Sequence, residues 1–158
     1  MAVYMTAIQG ALKARLAGQA PFNAGAANTP GLVLEDDDVQ SRMEEMLNRV
    51  RVMAIVLRPP SMVRVLERSI VDFNWEVDCI ENPAVNRPVG GTYYTVESVA
   101  ESVFVLLNNY QIPTSTGLSA NSSRSSSITR IGREEPAGSL VRYKVAGFVR
   151  SKLTENIT

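Results

Sequence analysis

The sequence predicts an α+β domain: a mainly antiparallel sheet with two to three helices packed on one face. Three observations carry that expectation. Val71, Phe73, Trp75, Val77 and Cys79 alternate without a miss with Asp72, Asn74, Glu76 and Asp78, the period of two that a half-buried strand imposes. Leu140 to Arg150 repeats the pattern, with Val141, Tyr143, Val145 and Val149 set against Arg142, Lys144 and Arg150. Two further stretches, 3–18 and 95–110, carry apolar residues at helical spacing. With 158 residues, 45% of them hydrophobic and 20% charged, the chain has the size and composition of a single globular domain spanning 1–158.

The first helix is expected from Val3 to Gly18, with Tyr4, Ile8, Leu12 and Leu16 on one face and Gly18 as its stop. Gln19 to Gly31, rich in Ala, Asn, Gly and Pro, reads as a flexible loop. Leu32-Val33-Leu34 is short enough only for a brief strand. Glu35 to Asp38 caps a second helix whose apolar face is Val39, Met43, Met46, Leu47 and Val50. Val52 to Leu57 is continuously apolar and short, the mark of a central strand, and Arg58-Pro59-Pro60 closes it. Val63 to Leu66 reads as the start of a strand that breaks and resumes at Ile70.

The 71–79 strand runs into Glu81-Asn82-Pro83-Ala84-Val85-Asn86-Arg87-Pro88, a turn-forming stretch. A third helix is expected over Thr95 to Tyr110, with Thr95 as N-cap, Glu97 and Glu101 early, and Val96, Val99, Ala100, Val103, Phe104, Leu107 and Tyr110 on its apolar side. Thr114 to Ser127 is Ser-rich, too polar to pack, and reads as a second mobile loop. Ile128 to Ile131 can pair as a hairpin with the 140–150 strand, in which Gly147 invites a bulge. No period of about 20 to 50 residues repeats, so a solenoid is excluded.

Composition also narrows function. The 16 basic and 16 acidic residues cancel, whereas a protein built to grip phosphates carries a basic excess. A single cysteine forms no intramolecular disulfide. No apolar run approaches the roughly 20 residues that span a bilayer, and no signal-peptide core stands at the N-terminus. The expectation is a soluble protein made in a cytoplasm, with no membrane partner. With no histidine, a Ser-His-Asp triad, a Cys-His pair and a two-histidine zinc site are all impossible within the chain. Cys79 shares the apolar strand face, and a buried inert thiol outweighs a nucleophile there. The run Glu35 to Asp38 lacks the alternating ligands and glycine of a calcium loop. Gly90-Gly91 lacks the lysine and later glycine of a phosphate loop. Trp75 and the Tyr93-Tyr94 pair are conceivable base-stacking platforms, but Trp75 lies in line with Phe73 and Val77, which favours core. No enzyme and no cofactor is expected.

From Val52 to Tyr110 the sequence resembles the tail-terminator (tail-completion) proteins of long-tailed bacteriophages. The resemblance rests on the apolar strand ending in proline (Val52 to Pro60), the alternating strand, and the Glu-Asn-Pro-x-x-Asn-Arg motif at Glu81 to Arg87. It continues in a helix carrying Glu97, Ala100, Glu101, Val103 and Leu107, and in a terminal pair of strands. It implies a virion protein forming a usually hexameric ring. Such a ring caps the tail tube, docks the tail to the connector of the head, and lets genome DNA pass without binding it specifically. Another neck or head-completion protein, or a tail-tube subunit, is the alternative in that class. A nucleic-acid-binding module using the basic C-terminal third is the alternative outside it.

A channel that passes DNA calls for a wall that is not basic. The candidate lumen or interface residues are therefore Asp36, Asp37 and Asp38, and the strand carboxylates Asp72, Glu76 and Asp78. Arg142, Lys144 and Arg150 are then expected away from the lumen, across subunit contacts. An ordinary solvated surface accounts for these charges equally well.

Overall fold

The alternating stretch in the middle of the chain forms the spine of a six-stranded sheet. The computed structural model describes residues 4–34, 44, 51–56, 64–67, 70–86, 88, 91, 93–119, 124–134 and 140–152. Within them the elements are α1 (Tyr4–Ala17), β1 (Gly31–Leu34), β2 (Met53–Val56), β3 (Arg64–Glu67), β4 (Ile70–Glu81), α2 (Val96–Leu107), a 3-10 turn (Thr114–Thr116), β5 (Ser126–Arg133) and β6 (Val141–Lys152). The strands lie side by side as β1-β2-β4-β6-β5, with β3 also paired to β4. β4 and β6 are antiparallel along their whole length, from Ile70 opposite Lys152 to Glu81 opposite Val141. Because β6 fills one edge of β4, β2 and β3 lie end to end along the other, against Val77–Ile80 and Ile70–Asp72. The α+β class with a mostly antiparallel sheet is as expected; the β1–β2 pair is parallel.

Alternation sorts the strand residues into two faces. Val71, Phe73, Trp75, Val77 and Cys79 of β4, Val145 and Val149 of β6, and Ala54 and Val56 of β2 point into the main core. Ile8, Leu12 and Leu16 of α1 and Val96, Val99, Ala100, Val103 and Leu107 of α2 cover them, so both helices lie on that face. A smaller cluster of Met53, Ile55, Ile80 and Leu140, with Val33 against it, is buried on the opposite face. The buried Gln9 of α1 donates from Nε2 to the Val56 carbonyl at 2.8 Å, a polar tie between helix and sheet. α2 begins as its sequence dictates: Thr95 accepts from the Ser98 amide while Ser98 Oγ accepts from the Thr95 amide, a capping box. It ends at Leu107, one turn before the expected Tyr110.

Three expectations are refined. Val63 to Leu66 does not run on into the next strand: β3 doubles back, with Val65 opposite Val71. Gly147 makes no bulge, for the β4–β6 register is continuous through it. Its missing side chain instead leaves room for the Trp75 indole directly opposite, since a Cβ there would overlap Trp75 Cζ2 and Cε2 and the Ser127 carbonyl. The register shift falls one strand over, between Ile128 and Arg130 of β5. The Ser-rich stretch is partly packed: Thr116 and Leu118 are buried, and β5 starts at Ser126, which is fully buried. It is held by the Leu118 side chain in the core together with backbone pairing, through Ser126 N–H to Tyr110 O at 2.7 Å and Ile112 N–H to Arg124 O at 2.8 Å. The predicted second helix over 39–50 lies outside the described residues, apart from the helical, exposed Glu44.

Candidate functional site

The even-numbered side chains of β4 and β6 share the sheet face turned away from the two helices. The register sets Asp72 opposite Arg150, Asn74 opposite Phe148, Glu76 opposite Ala146 and Asp78 opposite Lys144. Six charges thus close into three cross-strand pairs. Arg150 grips Asp72 with two nitrogens, Nε to Oδ1 at 2.7 Å and Nη2 to Oδ2 at 3.0 Å. Its guanidinium also stands 5.7 Å from the centre of the Phe148 ring. Diagonally, Arg142 Nη2 meets Asp78 Oδ2 at 2.6 Å, and Lys144 Nζ meets Glu76 Oε2 at 3.4 Å. Directly opposed or diagonal neighbours of opposite sign contribute about 0.2–1 kcal/mol each.

The pairs differ in burial. Asp72 and Asp78 are buried, whereas the Arg150 side chain is half exposed. Burial pushes the Asp78 carboxyl above its ordinary value, more than its hydrogen bond and attraction to Arg142 pull it down. Its Oδ1 is buried with no hydrogen-bond partner among the described residues. The hydrogen bond from Arg150 to Asp72 holds that guanidinium more firmly protonated.

This arrangement corrects one expectation. The carboxylates Asp72, Glu76 and Asp78 and the bases Arg142, Lys144 and Arg150 are not on separate surfaces, since each acid is neutralised by a base of the same face. Asp36, Asp37 and Asp38 lie outside the described residues.

The Glu-Asn-Pro-x-x-Asn motif is a joint. Asn82 Oδ1 accepts from the Ala84 amide at 3.1 Å and turns the chain after β4. Glu81, at the last position of the strand, is buried. One carboxylate oxygen accepts from the Val96 amide, the first residue of α2, at 3.2 Å; the other accepts from Asn86 Nδ2 at 2.5 Å. Asn86 Nδ2 also donates to the Tyr94 carbonyl at 2.7 Å. A carboxylate at a helix N-terminus meets its unsatisfied amides and the positive end of its dipole. The motif therefore bolts α2 to the end of β4. Sequence reading recognises a turn here but misses the buried carboxylate; the available signal is an acidic residue between a strand end and a helix start.

The remaining candidates are core or surface. Trp75 is buried, which removes it as a stacking platform, while Tyr93 is exposed and Tyr94 packs against the core. Cys79 is fully buried, and that burial pushes its thiol far up, against reactivity. Among the described residues no group of three or more His, Cys, Asp or Glu side chains is placed to hold a metal ion. No helix among them is long and apolar enough to cross a membrane.

No protein-family model matches the chain, and no curated protein matches it in sequence. Solved structures do match in fold. One chain of the structure titled "Virion of native gene transfer agent (GTA) particle" superposes with a TM-score of 0.60, covering 95% of this chain and 98% of its own length. The two are 14% identical. They share one fold, end to end.

Proposed function

We propose that this chain is a structural protein of a tailed-phage-like virion, and that it works as a tail terminator. Copies form a ring, hexameric in the resembling family, which stops the tail tube growing and joins the tail to the connector of the head. The observation that supports this most is the match over nearly the full length of both chains to a component of a gene transfer agent virion. The tail-terminator motifs add the finer reading: Glu81, Asn82 and Asn86, which the resemblance singles out, form the joint between sheet and helix. Function then comes from assembly, without covalent chemistry.

The paired charges of the β4–β6 face fit a wall that faces passing DNA. Each carboxylate there carries its own counterion, so the face neither grips phosphates nor strongly repels them. The basic C-terminal third is a weak basis for nucleic-acid binding, because Arg142, Lys144 and Arg150 are already committed to partners. A polymerisation assay tests the terminator reading: tail-tube subunits are assembled with and without this protein. Shorter tubes carrying a ring at one end are expected. Tubes of unchanged length, or incorporation all along them, would instead indicate a different neck component or a tube subunit.

A further inference from the structure

Among the described residues three large hydrophobic side chains are exposed, Tyr93, Val105 and Ile131, and the last two stand beside charges of opposite sign. Val105 of α2 is 71% exposed, one turn after the exposed Glu101 and therefore on the same stripe. Glu101, Val105, Ser98, Ser102 and Leu106 line a shallow groove closed by Ala20, beyond the end of α1. Ile131 of β5 is 40% exposed and stands between the exposed Arg130 and Arg133. The first patch is apolar and acidic; the second is apolar and basic.

We propose that these two patches mate between neighbouring copies of this chain, the groove on α2 of one receiving the β5 edge of the next. Val105 then covers Ile131, and Glu101 meets Arg133. The proposal rests on the ring reading above and assigns the surfaces that close the ring. α2 is otherwise well patterned, with Val96, Val99, Ala100, Val103 and Leu107 all buried, whereas Val105 gains little from packing among the described residues. The patches are different surfaces: the groove borders the turn after α1, whereas β5 is the outermost strand at one side of the sheet. A contact between two different surfaces is heterologous, and heterologous contacts generate rings when the rotation closes.

The chemistry of β5 points to side-chain docking rather than strand addition. The register shift between Ile128 and Arg130 and the two arginines are features that blunt an edge against pairing with another strand. Glu97 is engaged by the Tyr143 hydroxyl at 3.2 Å, which leaves Glu101 as the carboxylate beside Val105. Arg130 holds Glu134 at 2.6 Å, so Arg133 is the cleaner position to perturb.

The test is a reciprocal charge swap on the full chain, read by native mass spectrometry and sedimentation, with thermal melts to verify folding. Glu101→Arg and Arg133→Glu are each expected to weaken self-association by about tenfold or more, because like charges then meet across the contact. The double variant restores opposite signs and is expected to recover assembly to within about threefold of wild type. Should wild type form rings that both single variants also form, or should the double variant fail to recover, the surface assignment is overturned while the ring reading stands. Wild type that stays monomeric, alone and on tail tubes, overturns the ring reading and this inference with it.

Discussion

Glu81→Gln keeps the size and shape of a buried side chain while removing its charge. In the wild type both carboxylate oxygens accept, one from the Val96 amide and one from Asn86 Nδ2. A glutamine supplies one acceptor and one donor. If its oxygen faces Val96, its nitrogen confronts the Asn86 nitrogen; if the amide flips, the Val96 amide is left facing a donor. Flipping Asn86 instead forfeits its bond to the Tyr94 carbonyl. Every arrangement loses one hydrogen bond. A bond to a charged group contributes about 1.5–3 kcal/mol, and the carboxylate at the helix N-terminus about 0.3–1 more. The expected cost is therefore about 2–4 kcal/mol. For a domain of this size each kcal/mol lowers Tm by about 2–4 °C, giving a fall of roughly 4–16 °C. Urea and thermal melts followed by circular dichroism measure it. Glu76→Gln is the control, since its contact to Lys144 is longer and partly exposed, worth less than about 1 kcal/mol. If Glu81→Gln is no less stable than Glu76→Gln, the joint does not fasten α2 to the sheet as described.

Gly147→Ala is expected to destabilise by about 1–3 kcal/mol through overpacking against Trp75. Because Trp75 is the sole tryptophan, its emission should shift as well; an unchanged melt and spectrum would refute the fit. Asp78 predicts a pH signature. Its raised folded pKa means that the native state takes up this proton before the unfolded chain does, so its contribution to stability grows as pH falls through the window above 3.8 and is lost as pH rises. Wild type compared with Asp78→Asn, melted at neutral and at acid pH, should gain relative stability on the acid side; a relative loss would reverse the assigned cause. The amides of Ile112, Ser119 and Ser126 are hydrogen-bonded to backbone carbonyls and should exchange slowly in the isolated subunit. Rapid exchange there would return the stretch to the mobile loop its composition suggests.

Face assignment was readable from sequence, and partnership was not. A period of two places Phe73, Trp75 and Val77 together whatever strand lies alongside, and a period near 3.6 does the same for Val99, Val103 and Leu107. Which carboxylate meets which base depends on register, and Asp72 and Arg150 stand 78 residues apart. Alternation therefore identifies both as outward-facing but leaves them free to be assigned to different surfaces. Gly147 shows the same limit, because its role is set by the indole across the strand pair rather than by its neighbours in sequence. Ser126 shows another. Composition marks it as loop, yet a strand needs only backbone donors and acceptors, and these are invisible in side-chain polarity. The Glu81 joint combines both difficulties, since a strand end must meet the start of a helix 15 residues on.

The measurement that bears most directly on the account is the mass of the assembled protein, taken by native mass spectrometry alone and in the presence of tail tubes. The account predicts a closed species of identical copies, hexameric if it follows the resembling family, either preformed or appearing at tube ends. A protein that remains monomeric in both conditions, at concentrations where the tubes are intact, would contradict the ring and the tail-terminator function built upon it.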